Sequence, residues 1–464
     1  MKQFKRITGQ LTVIVYLLLT GNVTAQEYQT HFPPDEFSHR RDKVFDFIGE
    51  DAIAIIQGAP DPGGFVYPRQ SNTFYYLSGV ENTYSYLLLD GRTRTTTLYL
   101  VPNRTRGWDN VLSLENTKHA KMLTGIDEVR PVSELNIPRV DEIFTPFSPA
   151  EGQGQSRWEL LSRNRTLAND VWDGRSSREQ NLAALLKTRN PRAQISDLTP
   201  FLDDMRSIKS HMEIELLRKA GDLAAMAIIE AIKSSEDGVY EYQLDAAARY
   251  VYQVNGARLE GYRSITAAGV KNISDGHYYY NSQKLKDGDL VLMDYAPDYG
   301  YYTSDIGRMW PVNGKFNDWQ REICTYILEY HKAILSRIRP GVTAEKIMEE
   351  AAEAMKPVIE KYGFSKPEYK AAVMKMIETG GGVFSHTVGM AVHDVGRYRS
   401  EPLKVGQVFA VDPQLWVPEE NLYMRVEDTV VITENGVEVL TAKAPIELNE
   451  IEKLVKRKGI VQDN

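Results

Sequence analysis

Apolar residues recur along this chain with two different periods, and the change between them divides it. From Phe37 to about Leu198, short β-rich runs (52–57, 84–89 and 96–101) alternate with polar turns and helical stretches, the pattern of one α/β domain. The segments 153–157 and 174–180 read as surface loops within it, because no period runs through them. Near 197–204 the pattern changes. From Glu213 onward Leu216, Leu217, Ala220, Leu223 and Ala224 fall on one helical face, which predicts a long helix opening a second domain that runs to the C-terminus. No internal repeat or low-complexity tract interrupts either part.

The start of the chain follows a different rule. Basic residues Lys2, Lys5 and Arg6 precede an apolar stretch at 11–19, and Val23-Thr24-Ala25 stands before Gln26. This is the layout of a secretory signal peptide over residues 1–25, and its apolar run is too short to anchor well in a bilayer. The expectation is an exported protein, periplasmic or secreted, with no stable membrane insertion after cleavage. The net charge of −8 becomes −11 once the three basic residues of the leader are gone, which argues against a nucleic-acid partner. Cys324 is the single cysteine, so no intrachain disulfide forms. Its neighbours Ile323, Tyr326, Ile327 and Tyr330 make an amphipathic pattern that predicts a buried structural thiol.

Candidate chemistry lies in two predicted hairpins. The run Leu290-Val291-Leu292-Met293 ends at Asp294, and 297–300 is a strong turn signal; folding about it sets Asp294 roughly opposite Asp305. Facing residues have Cβ atoms about 5 Å apart, so the two carboxylates favour a bound metal or a shared proton. In the second hairpin, strands at 405–416 and 423–433 flank a turn at 418–421, and Asp412 and Glu427 are equidistant from its centre. Asp412 also ends an apolar run, Val408-Phe409-Ala410-Val411, typical of a buried strand where an unpaired acid is costly. His386 and His393 supply imidazoles seven residues apart, and an imidazole among four carboxylates completes a hard site for two divalent ions. Such ions ionise water and polarise carbonyls, which is hydrolytic chemistry at neutral pH. His277 reads equally as structural or surface from its spacing alone.

These residues together resemble the pita-bread metallopeptidases, specifically the aminopeptidase P and prolidase branch. The resemblance rests on Asp287 to Asp294, Asp305-Ile306-Gly307-Arg308, Pro311 to Phe316, His386 to Gly396, and Arg425-Val426-Glu427-Asp428. In the first half, Tyr67 to Gly79, with Arg69, Gln70, Phe74 and Gly79, is similar to the N-terminal signature of aminopeptidase P; Arg206, Lys209, Glu213 and Glu215 resemble the entry to the catalytic helices. The resemblance implies an aminopeptidase P N-terminal-like α/β domain over 26–200 and an α+β pita-bread catalytic domain over 201–464. It also implies two divalent metal ions, manganese first with cobalt or zinc as alternatives, held by Asp294, Asp305, His386, Asp412 and Glu427. His393 and His277 would bind substrate, Arg425 would orient the carboxylates, and the substrates would be peptides with proline at the second position. Homo-oligomers are common in such families.

Three positions depart from the family pattern: Asp412 where Glu is usual, Gly382 where His is common, and Gly307 where Thr is usual. They keep open a poorly active or non-catalytic relative acting as a peptide-binding module. Prolidase action on Xaa-Pro dipeptides is the enzymatic alternative. A metal-free creatinase-type hydrolase is disfavoured by five side chains able to ligate metal.

Overall fold

Alternate residues of the strand Ala52–Gln57 serve two different cores: Ala52, Ala54 and Ile56 pack with Phe37, Val44 and Leu87, while Ile53 and Ile55 pack with Leu88, Tyr99 and Ile143. Both faces are therefore covered, as expected of an α/β layer. In this computed structural model, which describes residues 31–102, 112–380, 383–398 and 401–462, that strand lies inside a mixed six-stranded sheet. Its order is Glu128–Pro131, Thr95–Leu100, Tyr86–Asp90, Ala52–Gln57, Glu142–Thr145, Gln194–Asp197. The expected leader and Gly382 lie outside the described residues.

The segment expected as a loop at 174–180 is corrected in its second half. Ser177 caps the helix Arg178–Arg189 through a reciprocal hydrogen-bond pair with Gln180. Similarly, Arg157 opens the helix Arg157–Asn169. Each helix buries a single residue, Leu160 in one and Leu186 in the other, so neither carries the apolar stripe that would announce it.

After the last strand of this sheet come a short helix, Thr199–Ser207, and the long helix His211–Lys233, whose first turn is closed by a capping box between Ser210 and Glu213. Leu216, Leu217, Ala220, Leu223 and Ala224 are all buried on it. The second sheet runs Val408–Val411, Glu427–Thr433, Ile306–Pro311, Leu290–Asp294, Ile265–Ala268, antiparallel throughout, with Gly436–Val439 beside Glu427–Thr433. Its core takes in the helices His211–Lys233, Glu241–Val254, Asp318–Leu335 and Ala344–Tyr362. Cys324 lies in that core, where burial pushes its thiol up to about 12.

The two domains meet along a seam with apolar and ionic parts. Phe74 and Tyr75 share one cluster with Tyr301, Tyr302, Val388 and Met390. Arg69 donates to Asp298 at 2.7 Å, and the Asn72 amide donates to the Met390 carbonyl at 3.0 Å. The conspicuous motif of the first half is thus built into the contact with the second. No helix of the described residues is long and apolar enough to cross a membrane.

Candidate metal centre

The hairpin after Asp294 turns two residues later than the 297–300 signal suggests, and one residue later than a pairing of Asp294 with Asp305 requires. Gly300 and Tyr301 form the tip, both with positive φ (60° and 75°), and Tyr299 pairs with Tyr302 across it. Shifting the turn by one residue shifts the cross-strand partner by two, so Asp294 faces Gly307 and not Asp305. A tyrosine at positive φ costs about 1–2 kcal/mol. Contacts from the first domain offset that cost: the Tyr301 ring stacks on Tyr75 with centroids 3.5 Å apart, its hydroxyl accepts from the Gln70 amide at 3.0 Å, and the Arg69 guanidinium lies over its face. Tyr262 restores the meeting of the two acids, its hydroxyl lying 2.7 Å from Asp294 and 2.9 Å from Asp305. Gly261 lets that loop approach, since a Cβ there would stand 2.0 Å from Thr303 Oγ1.

In the second hairpin Val411 pairs with Asp428 and Gln414 with Arg425, which sets Asp412 level with Glu427. The adjacent Arg425 projects into the acids. It donates to Asp294 at 2.7 Å, to both oxygens of Asp412 at 3.1 and 2.8 Å, and to Glu427. Arg425 is buried, so it acts inside the cluster as an internal counter-charge. Asp412 also accepts from Gln414 at 2.5 Å. Gly307 leaves room for this packing, because a Cβ there would meet Glu427 at 3.2 Å and Arg425 Nε at 3.4 Å.

Three ligand atoms, one each from Asp305, His386 and Glu427, lie within 4.8 Å of one another. His386 Nδ1 is 3.2 Å from the Thr387 carbonyl and Nε2 is 3.3 Å from Asp305, an orientation that aims Nε2 at the acids. Glu427 Oε1 is fully buried with no hydrogen-bond partner, which is costly unless a cation takes its lone pairs. The donor set therefore fits divalent metal. Asp294 and Asp412 stand on the other side of the cluster, held by Arg425. His393 is next to His386, with ring centroids 4.2 Å apart, and its Nδ1 is 3.2 Å from Glu159. His277 is exposed at the rim, 6.3 Å from the Tyr279 ring. A cavity of about 1550 Å³ joins them, lined by Asp294, Asp305, His386, Asp412, His277 and His393 among others.

Charge crowding sets the protonation pattern. Burial pushes the Asp294 carboxyl up to about 7, with Asp305 and Asp412 adding to it against Arg425. Burial likewise raises Glu427 well above the usual carboxylate range. Asp305 goes the other way: burial opposes its ionisation, but His386 and Arg425 together hold it down near 2. Burial would lower His386, and Asp305 outweighs it and raises the imidazole; burial and the neighbouring His386 lower His393. The Tyr262 hydroxyl has one proton for two carboxylates, so it donates to only one of them at a time.

Two residues at this site carry no signal in the sequence. Tyr262 sits in an aperiodic segment, and Glu159 is separated from His393 by 234 positions. Only the adjacent Asp294 and His393 motifs mark where such partners would have to come.

The description of metallopeptidase family M24 matches residues 215–434, and that of the aminopeptidase P N-terminal domain matches residues 37–138. Xaa-Pro aminopeptidase of Escherichia coli (strain K12) is 30% identical over 449 residues, spanning 90% of this chain and 97% of that relative. The chain belongs to the aminopeptidase P branch of metallopeptidase family M24. Xaa-Pro aminopeptidase 3 of Mus musculus is 29% identical over 494 residues, spanning 97% of this chain and 91% of the relative. A zinc-substituted Escherichia coli aminopeptidase P solved in complex with product superposes with a TM-score of 0.73 at 27% identity, covering 92% of this chain and 99% of that one. The family membership identifies the second sheet and its helices as the pita-bread catalytic fold.

Proposed function

We propose that this protein is a metal-dependent Xaa-Pro aminopeptidase, releasing the first residue of peptides that carry proline at the second position. The observation that carries the reading is a set of four carboxylates and one imidazole, with the orphaned, fully buried Glu427 oxygen among them; Asp294, Asp305, His386 and Asp412 line a large cleft, and Glu427 lies behind them. Asp294, Asp305, His386, Asp412 and Glu427 would hold two divalent ions. Hard oxygen donors in the majority favour manganese over softer-ligand metals. When bound, the ions supply Lewis acidity toward a peptide carbonyl and ionise water at neutral pH.

The chain's own residues do the rest. Arg425 keeps three carboxylates in place, and Tyr262 holds Asp294 and Asp305 together. His393 and His277 flank the cleft, where a peptide carbonyl would meet their ring nitrogens. A tertiary amide has no N–H to offer, so selectivity for it comes from a shaped pocket, and Tyr262, Tyr398 and Tyr423 give the cleft aromatic walls.

The test compares hydrolysis of an Xaa-Pro-containing tripeptide with its Xaa-Ala counterpart and with an Xaa-Pro dipeptide, using manganese-loaded protein with and without chelator. Chelator-sensitive release of the first residue from the proline tripeptide alone is expected. Equal rates on proline and alanine peptides would sink the specificity, and faster dipeptide cleavage would make the protein a prolidase. Export through residues 1–25 belongs to the same proposal. A mature N-terminus at Gln26 on protein recovered outside the cytoplasm is the expected result, and an intact Met1 would overturn it.

A further inference from the structure

The helix Arg157–Asn169 belongs to the first domain, yet Trp158, Glu159 and Leu161 line the catalytic cleft. Its first residue is fixed by buried charge. Arg157 donates to Glu151 at 2.7 Å and, through both terminal nitrogens, to Asp203 at 3.0 and 3.1 Å. Glu151 accepts in turn from Arg206 at 3.0 Å, and Arg206 donates to Asp394 at 2.5 Å. Lys209 adds a second cation on Asp394 at 3.3 Å. Asp394 is the neighbour of His393, and Glu159 closes the circuit by standing 3.2 Å from His393 Nδ1. The chain of contacts thus leaves the catalytic loop at Asp394 and returns to it at His393.

The two ends of this circuit differ in strength. Side chains of Glu151, Arg206, Lys209 and Asp394 are each 1% exposed, where losing one partner strands a buried charge. Glu159 and His393 are 48% and 39% exposed, too open for their contact to hold a helix in place. The buried pairs therefore set the position, and the outer contact is left to orient a ring.

We propose that Glu159 is a positioning residue for His393, lent to the active site by the first domain. A carboxylate only accepts, so at this distance Nδ1 carries the proton and Nε2 is the nitrogen left to accept from, or face, the substrate. Without Glu159 the neutral ring is free to choose the other tautomer, which in water is the more populated one.

The kinetic arm of the test rests on the peptidase reading; the spectroscopic arm does not. In manganese-loaded protein, Glu159→Ala is expected to lower kcat/KM on the proline tripeptide about fivefold, the worth of one modest hydrogen bond. Glu159→Gln should restore most of it, since its amide oxygen accepts the same proton. In a His393→Ala background the Glu159→Ala effect should vanish. A fivefold loss that persists without His393, or no loss from Glu159→Ala, would overturn the proposal. Independently, ¹⁵N-histidine spectra of the metal-free protein, with His393 assigned from His393→Ala, should show the Nδ1–H tautomer and its loss in Glu159→Ala. Identical His393 tautomers in both proteins would reject the role even if no peptide were hydrolysed.

Discussion

Loading the site with metal should expel protons and stabilise the fold, and the size of both effects follows from the crowding of acids. Four carboxylates (Asp294, Asp305, Asp412 and Glu427) face the single permanent cation Arg425, so full ionisation leaves three negative charges unmatched. The metal-free site answers by retaining protons: burial pushes Asp294 up to about 7 and raises Glu427 well above the usual carboxylate range, and Asp305 raises His386. Near neutral pH these groups retain protons that divalent ions must displace. For Asp294 and Glu427 the folded value lies above the unfolded one, so their contribution to stability is full below about pH 4 and is lost as the pH rises through the folded value. The distance from 3.8 to about 7 at Asp294 alone corresponds to about 4 kcal/mol. Glu151, Asp394 and Asp428 have the opposite sign: each is held low by cationic partners that overcome burial, and their contribution is lost on acidification below about pH 4. The metal-free protein should therefore be most stable near about pH 5, and manganese should flatten that profile by stabilising the neutral range. Each filled site adds about 2.7 kcal/mol at one hundred times its Kd. Calorimetric titration of manganese at about pH 7 in two buffers of different ionisation enthalpy counts the protons, and urea midpoints across pH measure the rest. Release of less than about half a proton, or a metal-free stability that climbs from about pH 5 to 7, would refute the charge accounting.

Other consequences are as direct. Tyr262→Phe removes the hydroxyl shared by Asp294 and Asp305 and should cost about tenfold or more in kcat/KM, and about 1–3 kcal/mol in the urea unfolding of the metal-free protein. Gly261→Ala places a methyl 2.0 Å from Thr303 Oγ1 and should destabilise by about 1–3 kcal/mol in chemical denaturation, partly relieved by Thr303→Ala. Asp394→Asn strips the partner charge from Arg206 and Lys209 and should cost about 3–5 kcal/mol by the same assay. Cys324 should resist thiol reagents in the native protein and react on unfolding, because burial raises it to about 12.

The sequence by itself determined what is local. The long helix read from Glu213, the buried strands and the levelling of Asp412 with Glu427 all follow from periods and a turn whose residues are contiguous. Family resemblance in the motifs around Asp294, His386 and Glu427 made the metallopeptidase legible, since each motif is a short contiguous segment although the three lie far apart along the chain. Only the tertiary structure decided the rest. Where the first hairpin turns depends on Tyr75 and Gln70, more than 200 positions away from Tyr301, and a displacement of its centre by one residue moves the partner of Asp294 from Asp305 to Gly307. The helix Arg157–Asn169 has no stripe to reveal it, because it buries little and is placed by ion pairs to Glu151 and Asp203. Hydrogen bonds along a helix or across a turn join residues a few positions apart and so leave a periodic trace. Contacts such as Tyr262 with Asp305 or Glu159 with His393 obey no period; the first exists only once the second domain has folded, and the second only once the two domains have closed on each other.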